Sequence, residues 1–203
     1  MNSKALTLEV ESPLAVEVAG DDETTAIKNL VAAFAADPAA RWLYPEDARY
    51  HAHFPRFVLL FGGQAFACRT AVHTTDSRAA ALWLPPGTSP EEEPLIEHLR
   101  SSIAPARHDE IFALFERMSE LHPAEPHWYL PLIGVAPAAQ GGGRGAALLR
   151  WGLERCDRDG LPAYLEASNL RNQRLYERHG FRARGVIQAA GSPPIIAMWR
   201  PAR

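Results

Sequence analysis

The chain has 203 residues, of which 47% are hydrophobic and 22% are charged, and its formal net charge at pH 7 is −3. A chain of this length can bury a hydrophobic core without disulfides or metals, and this composition excludes global disorder. The small net charge gives no general electrostatic reason to expect binding to nucleic acid or to an anionic membrane surface.

The two cysteines and the N-terminal residues bear on the compartment of the protein. Cys68 and Cys156 are far apart and lack the spacing of a metal site, so we expect two reduced thiols in a cytoplasmic protein. The first residues, MNSKALTLEV, lack the apolar core of a signal peptide, and no apolar run approaches the ~18 residues that a membrane span requires. We predict a single domain over residues 1–203, in which residues 1–12 form a loosely held leader.

The N-terminal third predicts one strand and two helices. PLAVEVAG (13–20) alternates like a strand, and DDETT then offers acidic caps for a helix that Pro38 is expected to end. The buried face of that helix has the i, i+3, i+4, i+7 spacing of Ile27, Leu30, Val31 and Phe34. A second helix is predicted at about 46–62.

The middle of the chain predicts a hairpin followed by helices. CRTAVHTT and AAALWLPP flank the turn DSR (76–78), as the two strands of a β-hairpin would. EEEPLIEHLRSS and DEIFALFERMSELH then predict one or two helices.

The C-terminal half alternates strands and helices. HWYLPLIGV (127–135) is nearly continuous apolar sequence, as in a central strand buried on both faces, and a helix follows it to about Asp159. LPAYLEAS (161–168) predicts another buried strand, Asn169 caps a short helix, and two strands near 181–188 and 195–200 complete the chain. This alternation predicts a mixed α/β layer fold.

A glycine-rich turn lies between the strand at 127–135 and the helix that follows it. The segment QGGGRGA (140–146) bares main-chain amides at a helix N-terminus, which is a favourable site for a phosphate group. The stretch contains no lysine, which excludes the P-loop of nucleotide triphosphatases.

A dinucleotide-binding fingerprint is the closer competitor. Gly141, Gly143 and Ala146 satisfy G-x-G-x-x-A, and Glu166 lies twenty residues further on, where a ribose-binding acid is expected. However, residues 136–140, with a proline among them, separate the strand from the first of these glycines, and only about sixty residues follow the glycines. That is too short for the repeated βαβ units of a NAD-dependent oxidoreductase.

Two linked motifs instead resemble the GNAT superfamily of N-acetyltransferases. The first, Gln140-x-x-Gly143-x-Gly145, is similar to the motif that binds the diphosphate of acyl-coenzyme A. The second is LEASNLRNQRLYERHGF (165–181), a strand, an asparagine and a helix with a tyrosine before a Gly-Phe pair. The resemblance covers most of the chain, is sharpest over 125–181, and is closest to puromycin N-acetyltransferase-like bacterial enzymes.

The resemblance implies a fold and a co-substrate. It implies one N-acetyltransferase domain with a central, mostly antiparallel sheet of about seven strands, flanked by helices, in which the fourth and fifth strands splay apart. It implies acetyl-CoA as the co-substrate and no metal. Its cofactor-binding positions would be Ile133, Gly134, Val135, Gln140, Gly141, Gly142, Gly143, Arg144, Gly145, Ala146 and Asn172.

The chain departs from the superfamily pattern at two positions of the turn. The superfamily usually has a basic residue where this chain has Gly142, and an aliphatic residue where it has Arg144. Because main-chain amides do most of the phosphate binding, we expect binding to persist. Either one charge-assisted contact is lost, or Arg144 supplies it from another angle.

The resemblance also assigns the chemistry, which is direct attack of an amine on the thioester through a tetrahedral intermediate. Tyr176 would protonate the departing thiolate as the general acid, and the amide of Val135 would stabilise the oxyanion. Glu166, a carboxylate in an apolar strand, is the candidate base, directly or through water, since burial would raise its pKa. Glu125 is the alternative base, and packing alone could explain Tyr176, as an ion pair with arginine could explain Glu166.

The remaining polar and aromatic residues give weaker signals. His51, His53 and His127 lack the spacing of a zinc site, so we expect surface or substrate-cleft positions. Trp42, Tyr44 and Trp83 could line an acceptor cleft, although aromatic core packing is the better explanation of each.

No motif names the acceptor, which we expect to be a primary amine of a small molecule or a peptide. A homodimer is common among the enzymes that the chain resembles. The alternatives that stay open are a non-catalytic acyl-CoA-binding protein and the NAD-dependent oxidoreductase.

Overall fold

The computed structural model describes residues 16–20, 23–189 and 191–203. The leader predicted at 1–12, the first part of the strand predicted at 13–20 and the acidic caps at 21–22 lie outside these residues. The described strands are β1 (Val16–Val18), β2 (Ala71–Thr74), β3 (Ala79–Leu84), β4 (Trp128–Val135), β5 (Ala163–Ala167), β6 (Arg182–Ile187) and β7 (Ile195–Arg200). The described helices are α1 (Glu23–Phe34), α2 (Pro38–Leu43), α3 (Asp47–Gly62), α4 (Gln64–Ala67), α5 (Glu92–Ser102), α6 (His108–Leu121), α7 (Arg144–Asp159) and α8 (Leu170–Arg178).

The strands form one sheet in the order β1-β2-β3-β4-β5-β7-β6. Neighbouring strands are antiparallel except β4 and β5, which run parallel. This arrangement confirms the predicted mixed α/β fold with a mostly antiparallel sheet. It excludes the doubly wound parallel sheet that a NAD-dependent oxidoreductase of the Rossmann type requires.

Most of the predicted elements are confirmed, and one boundary is wrong. The helix predicted at 46–62 is α3, and the two apolar helical segments after the hairpin are α5 and α6. Pro38 does not end the first helix, which stops at Phe34, but is the first residue of α2. Asp37 caps α2 by accepting hydrogen bonds from the amides of Ala39 and Ala40. Proline suits this position because the first turn of a helix has no use for its amide hydrogen.

Two hydrophobic layers enclose the sheet. One face packs against α1, α3, α5 and α6 in a core that includes Leu82, Tyr129 and Tyr164. The other face packs against α7 and α8 around Trp83 and Leu165. Tyr44 and Trp83 are fully buried in these cores, which settles them as packing residues rather than cleft residues. Within the described ranges, no helix combines the length and the apolar character needed to cross a bilayer.

The parallel pair β4 and β5 separates after three residue pairs. Trp128, Tyr129 and Leu130 lie opposite residues 163–165, and no pairing of β4 with β5 continues beyond them. Pro131 follows, and it has no amide hydrogen to donate to a neighbouring strand. On the other side of β4 the register with β3 shifts between Leu82 and Leu84, which is a bulge that bends the strands locally. The predicted splay of the fourth and fifth strands is therefore present, and it opens a gap in the middle of the sheet.

A glycine allows α7 to approach the sheet closely. A Cβ atom at Gly152 would lie 2.1 Å from Cε2 of Trp83, whose side chain is fully buried. No side chain larger than hydrogen fits there without moving a tryptophan ring in a packed core.

We expect Gly152→Ala to lower the free energy of unfolding by about 2–3 kcal/mol, because overpacking a rigid core forces backbone and ring displacements. Chemical denaturation monitored by tryptophan fluorescence measures this change. Gly185→Ala is the matched control, since its Cβ would meet no atom closer than 3.6 Å. Equal stability of the two variants would contradict the packing described for α7.

Candidate active site

The glycine-rich turn joins β4 to the first turn of α7. Gly141 and Gly143 have φ angles of 84° and 77°, in the left-handed region that favours glycine. The helix begins at Arg144, so the amides of residues 144–146 have no acceptor within the helix. A Cβ atom at Gly141 or Gly143 would meet nothing within 4 Å, so open space adjoins these amides. The turn thus combines bared donors, a helix N-terminus and room for a ligand, which suits a diphosphate.

The side chain of Arg144 braces this turn instead of projecting into it. Its Nε and Nη2 donate to Oδ2 of Asp76 at 2.8 and 2.6 Å, and its Nη1 donates to the carbonyl of Ala139 at 3.1 Å. A Cβ atom at Gly142 would lie 2.5 Å from Nη1 of Arg144, so the guanidinium crosses over that glycine. The main-chain amide is therefore the group that Arg144 offers to an anion.

The bond to Arg144 keeps Asp76 charged. Hydrogen bonding from the guanidinium lowers the pKa of Asp76 from its ordinary value of 3.8 to about 2. A lowered carboxyl pKa means that the stabilising contribution is fully present above the ordinary value and is lost only as the pH falls through about 2. The brace is therefore intact at neutral pH.

Main-chain groups of β4 point into the gap that β5 leaves. Ala136 donates its amide to the carbonyl of Arg78 at 2.9 Å, and the neighbouring Val135 lies opposite Ala79 of β3. Successive residues of a strand direct their amides to opposite sides, so the amides of Val135 and Ile133 point away from β3. Nε2 of Gln140 donates to the carbonyl of Val135 at 3.4 Å, which links the glycine turn to this strand.

A cavity of about 100 Å³ occupies the gap between β4 and β5, and we call it the inner cavity. It brings together four of the predicted catalytic and cofactor-binding residues, which are Ile133, Glu166, Asn172 and Tyr176. Much of its remaining wall is apolar, with Trp42, Phe54 and Phe57 among the lining residues. The predicted base and the predicted acid thus face one small cavity.

Tyr176 is buried on α8, with its ring edge against Phe181 at 6.1 Å between centroids. Burial, and to a smaller extent the charge of Asp37, raises the pKa of its hydroxyl well above the usual value of 10. The hydroxyl therefore stays protonated at neutral pH and can donate its proton to a stronger base that forms nearby. Packing alone does not explain why it lines a cavity that also holds a carboxylate.

Glu166 accepts a hydrogen bond from a tyrosine and lies near a histidine, and within the described residues it does not pair with an arginine. Its side chain is only 5% exposed, and Oε2 accepts a hydrogen bond of 2.6 Å from the hydroxyl of Tyr129. Nδ1 of His122 lies 3.7 Å from Oε1. Burial and the adjacent carboxylate raise the pKa of Tyr129, so this tyrosine remains a donor. A buried carboxylate with one strong donor retains lone pairs that can accept a proton.

A second cavity of about 480 Å³, the outer cavity, lies between α5 and α6 on one face of the sheet. Apolar residues such as Leu95, Ile96 and Phe112 line it, and His122, Tyr129 and Glu166 also border it. Glu166 is part of the wall of both cavities, as are Phe61, Phe115 and Met118. Its volume is in the range of small-molecule sites.

The sequence did not single out three polar residues around these cavities. Tyr129 looked like one more apolar strand residue, and His122 follows a helix without any motif. Asp37 is buried, lines the inner cavity, and accepts a hydrogen bond of 2.7 Å from Ser168. Only the burial of a carboxylate beside a proline could have drawn attention to Asp37, and burial is not visible in a sequence.

The other candidates lie elsewhere. Glu125, the alternative base, is on the surface, where it pairs with Arg184 at 3.4 Å, and it borders neither cavity. His51 is exposed on α3, and His53 stacks on Tyr44 at 5.9 Å. Across the part of the chain that the structure describes, no group of three or more histidine, cysteine or acidic side chains could hold a metal ion.

Comparisons with protein families and with individual proteins both find similarity to acetyltransferases. The acetyltransferase (GNAT) family matches residues 82–181. An uncharacterized N-acetyltransferase of Schizosaccharomyces pombe is 44% identical over 54 residues, which are 27% of this chain and 22% of that protein. Mycothiol acetyltransferase of Streptomyces scabiei is 41% identical over 66 residues, or 31% of this chain and 21% of that protein. The chain thus spans about a fifth of the length of these relatives.

Solved structures extend the similarity to nearly the whole chain. A Corynebacterium glutamicum structure described as histone acetyltransferase HPA2 and related acetyltransferase has a TM-score of 0.67 and 28% identity, and covers 95% of this chain and 98% of that one. Arylalkylamine N-acetyltransferase 2 of Aedes aegypti has a TM-score of 0.65 at 13% identity and covers 95% and 100%. Polyamine N-acetyltransferase of Drosophila melanogaster has a TM-score of 0.63 at 14% identity and covers 92% and 98%. The last two share the fold.

If the glycine turn holds the diphosphate of a substrate, we expect Asp76→Asn to raise the KM for that substrate by up to about fivefold, with kcat nearly unchanged. The reason is that an exposed ion pair contributes at most about 1 kcal/mol, and here it only keeps the donor amides in place. Steady-state kinetics measures both constants. Asp47→Asn, which removes another exposed aspartate paired with an arginine at 2.7 Å, serves as the control. A lower KM in Asp76→Asn would show instead that the freed guanidinium binds the ligand.

Proposed function

Because this chain has the GNAT fold and its residues 82–181 match the acetyltransferase (GNAT) family, we propose that it is an acetyl-CoA-dependent N-acetyltransferase acting on a primary amine of a small molecule. The observation that carries this proposal is that Glu166 and Tyr176 line the same cavity in the gap between β4 and β5. A proton acceptor and a proton donor facing one space are the two groups that acetyl transfer from a thioester to an amine requires.

The donor substrate would bind along one continuous path. Its diphosphate would accept hydrogen bonds from the amides of residues 141–146, and its pantetheine arm would pair with the main chain of Ile133 to Val135. Asn172, one helical turn before Tyr176, would fix the end of the arm. The open space beside Gly141 and Gly143 and the unpaired strand edge support this fit.

Acetyl-CoA supplies the activated acetyl group, and the protein residues do the remaining work. The amide of Val135 points into the gap, where it can donate to the carbonyl oxygen as negative charge develops there. Such a main-chain donor is fixed by the strand, so it needs no reorganisation during the reaction. Tyr176 then donates its proton to the departing sulfur, because a thiolate formed in this apolar space is poorly solvated.

The acceptor amine would enter through the outer cavity. The residues that line it include Glu92, Glu116 and Glu166 but neither lysine nor arginine. This charge pattern favours a cationic amine on an apolar body and disfavours an acceptor that carries a carboxylate or phosphate. Glu166 stands where the outer cavity meets the inner one, so it can take a proton from the amine as the amine reaches the thioester.

One rival function uses the same features. A non-catalytic acyl-CoA-binding protein would need the glycine turn but neither Glu166 nor Tyr176. Calorimetry with acetyl-CoA, followed by release of free thiol with a panel of amines, separates the two functions. The panel includes an arylalkylamine, a polyamine, a puromycin-type aminonucleoside and a peptide N-terminus. Binding of acetyl-CoA without turnover of any amine would favour the rival.

We expect Tyr176→Phe to lower kcat by about a hundredfold while the KM for acetyl-CoA changes little, since a general acid acts in the transition state. The phenylalanine keeps the packing against Phe181, so thermal unfolding should be nearly unchanged. Thiol release under saturating substrates measures kcat. An unaltered kcat would remove Tyr176 from the mechanism.

We expect Glu166→Gln to lower kcat by about a hundredfold and to flatten the acidic limb of the pH–rate profile, because an amide cannot accept the proton. Glutamine can still accept the hydrogen bond from Tyr129, so the local structure should persist. Glu125→Gln is the matched variant at the exposed alternative base and should behave as the wild type. An acidic limb that survives in Glu166→Gln and disappears in Glu125→Gln would reverse the assignment.

A further inference from the structure

Two histidines extend from Glu166 towards the surface. Nδ1 of His122 lies 3.7 Å from Oε1 of Glu166, and Nε2 of His122 lies 3.2 Å from Nε2 of His127. The imidazole of His122 is clamped edge-on by Tyr129 and Tyr164, each at 4.9 Å between ring centroids. The three side chains thus form a chain, Glu166–His122–His127, that no requirement of packing explains.

The hydrogen bonds of this chain fix which nitrogen of His122 is free to accept a proton. Nδ1 of His127 lies 2.7 Å from the carbonyl of Glu125, and only a protonated nitrogen can bond to a carbonyl. Nε2 of a neutral His127 is then an acceptor, so the proton in its contact with His122 belongs to Nε2 of His122. Nδ1 of His122 is left with a lone pair, and that lone pair faces Glu166.

Burial decides that His127 stays in the neutral form on which this reasoning depends. Burial, foremost, lowers the pKa of His127 below its ordinary value of 6.5, and the charge of His122 adds to the effect. The contact with the carbonyl of Glu125 and the charges of Glu166 and Glu125 act in the opposite direction, but each is a smaller influence than burial. His127 is therefore an acceptor for His122 at neutral pH rather than a competing cation.

The difference in exposure between the side chains indicates that a proton moves outward, from Glu166 to His122. The side chain of Glu166 is 5% exposed, whereas that of His122 is 35% exposed and borders the outer cavity. A proton on Glu166 is enclosed, and a proton on His122 is in contact with solvent. Passing it outward also restores the ionised carboxylate that the next acceptor needs.

Charged and titratable groups surround His122 on the sheet side and on the side of the outer cavity. Tyr129 lies on β4, and Tyr164 and Glu166 lie on β5. Glu92 and Glu116 line the outer cavity together with His122. Farther out, Arg184 of β6 pairs with Glu125 and stacks on Trp199, which packs on His127. Acidic groups thus predominate among the charged residues on the cavity side.

We infer that His122, positioned by His127, is the proton outlet of Glu166, an inference that rests on the proposed N-acetyltransferase function. An ammonium acceptor loses two protons to Glu166 in each turnover, one before the C–N bond forms and one as it forms. The C–S bond breaks, the sulfur takes the proton of Tyr176, and Tyr176 regains one from water. His122 therefore passes two protons from Glu166 to solvent in each turnover, and because one returns to Tyr176 from water, the net release is one proton. His122 is a positioning residue, since it acts through Glu166.

The kinetic test replaces His122 with asparagine, whose side chain fills the space but cannot accept the proton. We expect His122→Asn to lower kcat at least about tenfold with an unchanged KM for acetyl-CoA, and added imidazole to restore much of the loss. His51→Asn, at an exposed histidine outside both cavities, is the matched control. A kcat that stays within twofold of the wild type, or a loss that imidazole does not restore, would overturn the inference.

A second measurement does not depend on turnover. The ring ¹⁵N shifts of the histidines in the wild-type protein identify the protonated nitrogen of each neutral ring. We expect neutral His122 with its proton on Nε2 and His127 with its proton on Nδ1, and a His122 proton on Nδ1 would overturn the inference. If no amine is acetylated, the proposed function fails, whereas turnover by the wild type with an unaffected His122→Asn variant removes only the proton outlet.

Discussion

The separation of β4 from β5 after Leu130 and Leu165 is the constraint on which the rest of the structure depends. Two parallel strands that continued to pair would satisfy each other's amides and leave a closed sheet. Pro131, which has no amide hydrogen, follows the last pair, and a bulge on the β3 side bends the strand at the same level. Unpaired main-chain groups in the interior of a sheet are unfavourable unless a ligand forms hydrogen bonds with them.

The gap makes a passage through the sheet, and this explains the position of the polar side chains. The sheet has one core facing α7 and α8, which carry the glycine turn and Tyr176, and another core facing α5 and α6, which line the outer cavity. In the proposed function, a donor bound from one side would meet an acceptor that arrives from the other. Glu166 lies on β5 beside the passage and belongs to the walls of both cavities. A carboxylate at that position is costly to bury, and the hydrogen bond from Tyr129 reduces the cost.

The sequence was sufficient for the parts of the site that are contiguous along the chain. The turn at 140–146 and its glycines, the strand carrying Glu166 and the helix carrying Tyr176 could be predicted because each is a local pattern with a local physical reason. His122 and Tyr129 could not be predicted, since their importance comes from contacts with Glu166 across 44 and 37 positions of sequence. The role of Arg144 was also hidden, because its partner Asp76 lies on a distant hairpin. Pro38 was misplaced because proline both ends helices and begins them, and only the capping bonds of Asp37 decide between the two.

The most direct test is a crystal structure of the protein with coenzyme A bound. The account predicts the diphosphate on the amides of residues 141–146, the pantetheine arm along Ile133 to Val135, and the sulfur within hydrogen-bond reach of the Tyr176 hydroxyl. Coenzyme A lying outside the gap between β4 and β5, or a sulfur that Tyr176 cannot reach, would contradict it.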